Sequence, residues 1–212
     1  NYMPSSGVAR DNPQDNPEFE FWLDSAGYDT EIVARDLDNV KRLGLNAVSI
    51  FIYADSVDSG NLLDILRLCR ERGLKADVSL RPGTPMVFQW DSIKPLIAKY
   101  RLKDNDTVIG YDLAWEPFFG SFAERAKYDD LWNAWITKHY GTSNNAVERW
   151  GYAPDRDEAG FQGPTGQQLT QDGPWLGFVL DYRRFADELV GERYRAAREL
   201  VKSVDPNHLV SF

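Results

Sequence analysis

Short apolar runs recur along this chain at intervals of about 30 residues, the length of one β-α-β unit. Leu45 to Ile52 is strand-sized and nearly continuous in apolar character, and residues 74–80, residues 107–115 and Leu209 to Phe212 are further strand-sized runs. Before each of the first three, apolar residues fall three and four apart: Val33, Leu37 and Val40; Leu62, Ile65, Leu66 and Cys69; Ile93, Leu96, Ile97 and Tyr100. That spacing lines one face of a helix. The punctuation agrees. Asp29 or Thr30 stands where the first helix needs an N-cap, and Gly44 and Gly73 stand where the first and second helices must stop. Apolar strands alternating with amphipathic helices predict a parallel sheet covered by helices.

The run Val108-Ile109-Gly110-Tyr111-Asp112-Leu113-Ala114-Trp115-Glu116-Pro117 climbs to a carboxylate and is stopped by proline. A strand ending this way delivers Glu116 to the mouth of a sheet, among Trp115, Phe118 and Phe119. Apolar walls penalise a charged carboxylate, so such a glutamate can hold its proton and act as a general acid. A strand-end acid can equally pair with an arginine or cap the next helix. The pattern leaves both roles open.

The rest of the chain is less regular. Residues 1–28 read as the tail of a strand followed by a long polar loop. Residues 122–150 read as a helical pair rich in aromatics, broken at Gly141-Thr142. A long loop from Gly151 to Pro174 follows, then a helix from about Leu176 to Val204 and the start of a strand at Leu209. Loops of that length often line a site. Five strands are visible, whereas a closed (β/α)8 TIM barrel needs eight and about 250 residues. A doubly wound sheet would want a glycine-rich phosphate loop after its first strand, and none is present. The expectation is therefore an α/β chain carrying the first five βα units of a barrel. Residues 1–212 would be an incomplete catalytic domain with a helical and loop insertion at about 118–175.

A formal net charge of −9 argues against nucleic acid, which needs a basic face. No stretch approaches the roughly 20 apolar residues of a membrane span. The single cysteine, Cys69, sits on an apolar helical stripe and reads as core. His139 and His208 have no metal-ligand partner at useful spacing, so no metal or other cofactor is expected. Seven Trp, ten Tyr and eleven Phe suit core packing first, and also stacking on the apolar faces of sugars.

On these residues the chain resembles the clan of retaining glycoside hydrolases with (β/α)8 barrels, the cellulase, mannanase and β-galactosidase relatives. Gly44-Leu45-Asn46-Ala47-Val48 looks like the clan's second strand, and Ile109 to Pro117 like its fourth, where the family keeps Asn-Glu-Pro. Trp135 to Thr142, with Trp150-Gly151 behind it, is similar to a helix and loop of the family 42 β-galactosidases. Asp205-Pro206-Asn207-His208 looks like the turn into the fifth strand. The resemblance implies hydrolysis of β-linked sugars by an acid/base and a nucleophile. Glu116 takes the acid/base role. The nucleophile would follow the clan's seventh strand, outside this segment; Asp112, inside its strand, and Glu124, Asp129 and Asp130, on a helix surface, are poor substitutes. Trp115, Tyr53, Asp55 and Arg81 are the candidate substrate contacts, with packing as the alternative for Tyr53 and an ion pair for Arg81. Trp90 is either a stacking platform or a packed loop residue. Two positions depart from the clan: Trp115 replaces its asparagine, and Ser49 replaces an arginine often found late in strand two. The partners implied are a carbohydrate substrate and the remaining C-terminal part of the barrel. The departures leave a second expectation, a non-catalytic carbohydrate-binding or scaffold barrel.

Overall fold

The computed structural model describes residues 2, 22–23, 27–52, 60–80, 86, 88–113 and 120–211. In chain order its elements are α1 (Thr30–Arg42), β1 (Ala47–Ile52), α2 (Asn61–Glu71), β2 (Lys75–Leu80), α3 (Trp90–Lys99), β3 (Val108–Asp112) and α4 (Phe122–Arg125). After them come α5 (Asp129–Tyr140), α6 (Ser143–Trp150), β4 (Arg156–Asp157), β5 (Gly160–Phe161), α7 (Gly166–Thr170), α8 (Leu176–Val204) and β6 (Leu209–Ser211). They divide into two compact units, one running to Glu116 and resuming at Tyr194, the other spanning Pro117–Arg193.

In the first unit the helix signals act where the spacing put them. Asp29 caps α1, its carboxylate accepting from the Glu31 and Ile32 N–H groups at 2.9 and 3.1 Å. Gly44 and Gly73 follow α1 and α2 at φ +80° and +64°, a left-handed turn that costs glycine little. Val33 and Leu37 of α1 and Ile65 and Cys69 of α2 are fully buried. Each large apolar side chain so buried contributes roughly 1.5–3 kcal/mol.

β1, β2, β3 and β6 form a parallel sheet in that order. Tyr2 adds a parallel bridge to Ile50 on the far side of β1, its N–H donating to the Ser49 carbonyl at 2.8 Å. Spatial order thus follows chain order. One irregularity interrupts the register: Ala76 pairs with Val108 but Asp77 with Gly110, so Ile109 is an extra, bulged residue. Beyond the bulge β6 comes very close to Gly110, where a Cβ would lie only 3.0 Å from the Leu209 carbonyl oxygen.

The two faces of this sheet differ. Val48, Ile50, Ile52, Ala76, Val78, Leu80, Tyr111 and Leu113 bury into one apolar cluster with residues of α1, α2, α3 and the C-terminal part of α8. The alternate positions carry Ala47, Ser49 and Phe51, Lys75, Asp77 and Ser79, Gly110 and Asp112, and Leu209 and Ser211. The near-continuous apolar runs are therefore strands with one apolar face and one mostly polar face.

The second unit is built around Trp132, which is fully buried. It stacks on Trp135 and Trp150, with ring centroids 5.4 and 6.0 Å away, and meets Phe178, Tyr182 and Phe185 within 6.1 Å. Carboxylates on α8 fix the neighbouring indoles: Trp150 donates to Asp181 at 2.8 Å and Trp135 to Glu188 at 3.0 Å. Residues 151–174, expected to be one long loop, instead hold the antiparallel ribbon β4–β5 and helix α7. The reason is tertiary. Asn133 of α5 accepts from the Phe161 N–H and donates to its carbonyl, both at 2.9 Å, as a neighbouring strand would. Arg156 lies over the Phe161 ring at 3.9 Å, and a Thr165/Gln168 capping box starts α7.

Candidate active site

Parallel pairing brings the C-terminal ends of the strands to one edge of the sheet, where Ile52 pairs with Leu80, Ser79 with Asp112, and Asp112 with Ser211. In sequence, Tyr53 follows directly on β1 and Asp55 comes two residues later. Arg81 follows directly on β2, and Trp115 and Glu116 come shortly after β3. All five candidate site residues lie outside the described residues. What the described residues place is the set of strand ends that immediately precede them.

Below that edge the polar face carries a titratable group that the sequence reading passed over. Asp77 sits on β2 between Ser49 of β1 and Gly110 of β3. The Ser49 hydroxyl donates to its carboxylate at 3.4 Å. Burial, and then the negative charge of Asp112, push the Asp77 carboxyl up to about 6. Ser79, one step nearer the edge on the same face, is fully buried, and its hydroxyl has no hydrogen-bond partner among the described residues. Ser49 is thus a neighbour of this acid. The signal was the alternation in Lys75-Ala76-Asp77-Val78-Ser79-Leu80, which puts Lys75, Asp77 and Ser79 on one face.

The raised Asp77 value has a consequence for stability. A carboxyl that binds its proton more tightly folded than unfolded favours the folded state at low pH. That contribution fades as pH rises from the ordinary aspartate range, near 4, through about 6. Asp77→Asn removes the charge while keeping the shape. It is expected to raise the melting temperature at pH 8 by about 2–4 °C, the response to roughly 1 kcal/mol in a chain of this size. At pH 4 to 4.5 the variant and the parent should melt together. A variant less stable than the parent at pH 8 would mean that the Asp77 charge is compensated.

The other singled-out residues divide. Trp90 is half-buried, stacks on Phe88 at 6.1 Å and packs against the core, so in this structure it is a packing residue. Cys69 is buried, and burial pushes its thiol up to about 12. Glu124 and Asp130 are exposed, and Glu124 closes a capping box with Ser121. Asp129, read as a helix-surface acid, is buried instead, accepting from the Gly163 N–H at 3.1 Å. Its position depends on the 160s segment folding back onto α5, which no local pattern reveals.

His208 lies in a buried cluster at the start of β6. Asp205, fully buried, accepts from the Tyr111 hydroxyl at 2.6 Å and stands 2.7 Å from His208 Nδ1. His139 stacks on Trp135 with its Nδ1 at the Trp135 carbonyl. Among the described residues no group of three or more His, Cys, Asp or Glu side chains has the geometry to hold a metal ion. Comparison with family models, characterised proteins and solved structures finds no match to this chain.

Proposed function

We propose that this chain is the N-terminal part of a (β/α)8-barrel glycoside hydrolase that cleaves β-linked sugars with retention of configuration. The observation that carries this reading is the two-faced parallel sheet, with strands in chain order and helices packed on its apolar face. A doubly wound sheet reverses its strand order and takes helices on both faces. A barrel keeps chain order, puts helices outside and encloses its other face. Burial of Phe51 and Ser79 on the polar face fits enclosure. On the outer strand β6, Leu209 is 70 % exposed, which fits further strands beside it.

Barrel enzymes place their chemistry at the C-terminal ends of the strands. Glu116, Trp115, Tyr53, Asp55 and Arg81 follow such ends here. Glu116 donates a proton to the leaving glycosidic oxygen while a second carboxylate, about 5–5.5 Å away, attacks the anomeric carbon. The carbon–oxygen bond breaks and a glycosyl ester forms. Glu116, now a base, takes a proton from the water that displaces the ester. The nucleophile is expected from a later strand. Trp115, Tyr53 and Asp55 contact the sugar, and Arg81 supplies positive charge beside the carboxylates.

The test is product stereochemistry. The full-length protein, given aryl β-glycosides of glucose, galactose and mannose, is expected to release the β-anomer first, as followed by NMR of the anomeric protons. Early α-anomer would mean inversion and overturn the double-displacement mechanism. Binding of β-linked oligosaccharides with no hydrolysis would select the non-catalytic barrel, which Ser49 and Trp115 permit. Neither binding nor hydrolysis would overturn both readings.

A further inference from the structure

We propose that Trp175 and Tyr152, in the unit spanning Pro117–Arg193, form a second binding platform, one for a neutral polyhydroxylated chain such as an oligosaccharide. Both residues are half-buried, and their rings meet edge to face with centroids 6.3 Å apart at 71°. The indole is held in place. Its N–H donates to the Gln171 carbonyl at 3.1 Å, and its six-membered ring lies against Gly173, where a Cβ would fall within 2.5–2.7 Å of three ring atoms. Only glycine leaves room for that placement. The phenol is fixed from the other side. Gln168 donates to the Tyr152 hydroxyl at 2.9 Å while its carbonyl caps α7 through the Thr165 N–H at 2.8 Å.

The polar groups around the rings set the ligand class. Tyr152, accepting from Gln168, keeps its own O–H to donate. Gln167 donates to the Gln171 side-chain carbonyl at 3.2 Å, which among the described residues leaves the exposed Gln171 amide N–H and the Gln167 carbonyl for a ligand. The nearby Arg183 guanidinium is engaged with the Leu169 carbonyl. Uncharged donors and acceptors beside immobilised aromatic rings match a ligand with apolar C–H faces and many hydroxyls. Because the rings are fixed before binding, little side-chain entropy is lost when the ligand arrives.

The platform does not depend on Glu116, so binding and hydrolysis can be read separately. Isothermal titration of the full-length protein with linear β-1,4-linked gluco- and manno-oligosaccharides is expected to show binding that Trp175→Ala weakens tenfold or more. Hydrolysis of a small aryl β-glycoside should be unchanged in that variant, while Glu116→Gln should keep the platform affinity and lose the hydrolysis. If Trp175→Ala does not fold, Tyr152→Phe and Gln171→Ala serve instead, each expected to weaken binding about threefold for one lost hydrogen bond. Unchanged affinity in these variants, or no binding by the parent protein, overturns the platform. Binding of a proline-rich peptide with no saccharide binding overturns the ligand class.

Discussion

Glu116→Gln is expected to lower turnover of natural β-glycosides by about 10²–10⁴-fold in the full-length protein, with folding retained, because glutamine has the shape of the acid without its proton. The loss should depend on the leaving group. An aryl group that departs as a stable phenolate needs little protonation, so its first step should slow far less than that of an alkyl or sugar aglycone. The pH profile supplies a second readout. The parent's kcat/KM should fall on the alkaline side as the acid loses its proton, and the glutamine variant should lose that limb. A merely structural glutamate would change none of these ratios. Near-parental rates on natural glycosides would remove Glu116 from the chemistry and return it to strand-end pairing or capping.

How far the fold could be read from the chain depended on the range of the forces involved. Asp29, Gly44 and Gly73 act through their own turn, and they fixed the helix limits. The i, i+3, i+4 stripes of Val33, Leu37, Ile65 and Cys69 likewise point to the core that buries them. The strands were legible as strands, and in β2 so was the alternation that sets Asp77 and Ser79 on the second face, while the apolar runs of β1 and β3 hid it for Ser49 and Asp112. Phe51 and Ile109 interrupt that alternation, the first by its apolar bulk and the second because the bulge shifts the register by one. In residues 151–174 the elements are two to five residues long and too short to carry a period. They hold because Asn133 and Arg156 reach them, contacts that only the folded chain supplies. Of the candidate site, Glu116 lies outside the described residues, and the perturbation of Asp77, the most shifted acid among the described residues, was not legible. Its perturbation comes from burial and from a carboxylate 35 positions away in the chain, which no local reading captures.

Asp205→Ala is expected to cost about 3–5 kcal/mol of stability in the unit that contains the parallel sheet, the range for stripping a buried charge from its partners. Asp205 is fully buried between α8 and β6, and its two oxygens serve four groups. One takes the Tyr111 hydroxyl at 2.6 Å and His208 Nδ1 at 2.7 Å; the other takes the Asn207 and His208 N–H groups at 3.0 and 3.2 Å. The carboxylate therefore ties the middle of β3 to the turn that starts β6, and so aligns the two strands. Truncation leaves the fully buried Tyr111 hydroxyl without this acceptor, and each such orphan costs about 1–3 kcal/mol. Tyr111→Phe removes one donor and leaves the other three, so its loss should be nearer 1–2 kcal/mol. The pH dependence runs opposite to that of Asp77. Burial disfavours the Asp205 charge, but the hydrogen bonds from Tyr111, His208 and Asn207 outweigh it and hold the carboxyl below its usual value. Its contribution is thus complete above the ordinary aspartate range and is lost as pH falls through the lower folded value. Urea unfolding midpoints of the parent, Asp205→Ala and Tyr111→Phe at pH 7 and pH 3 test both statements. A loss under 1 kcal/mol in Asp205→Ala at pH 7 would show that the β3–β6 pairing does not need this carboxylate.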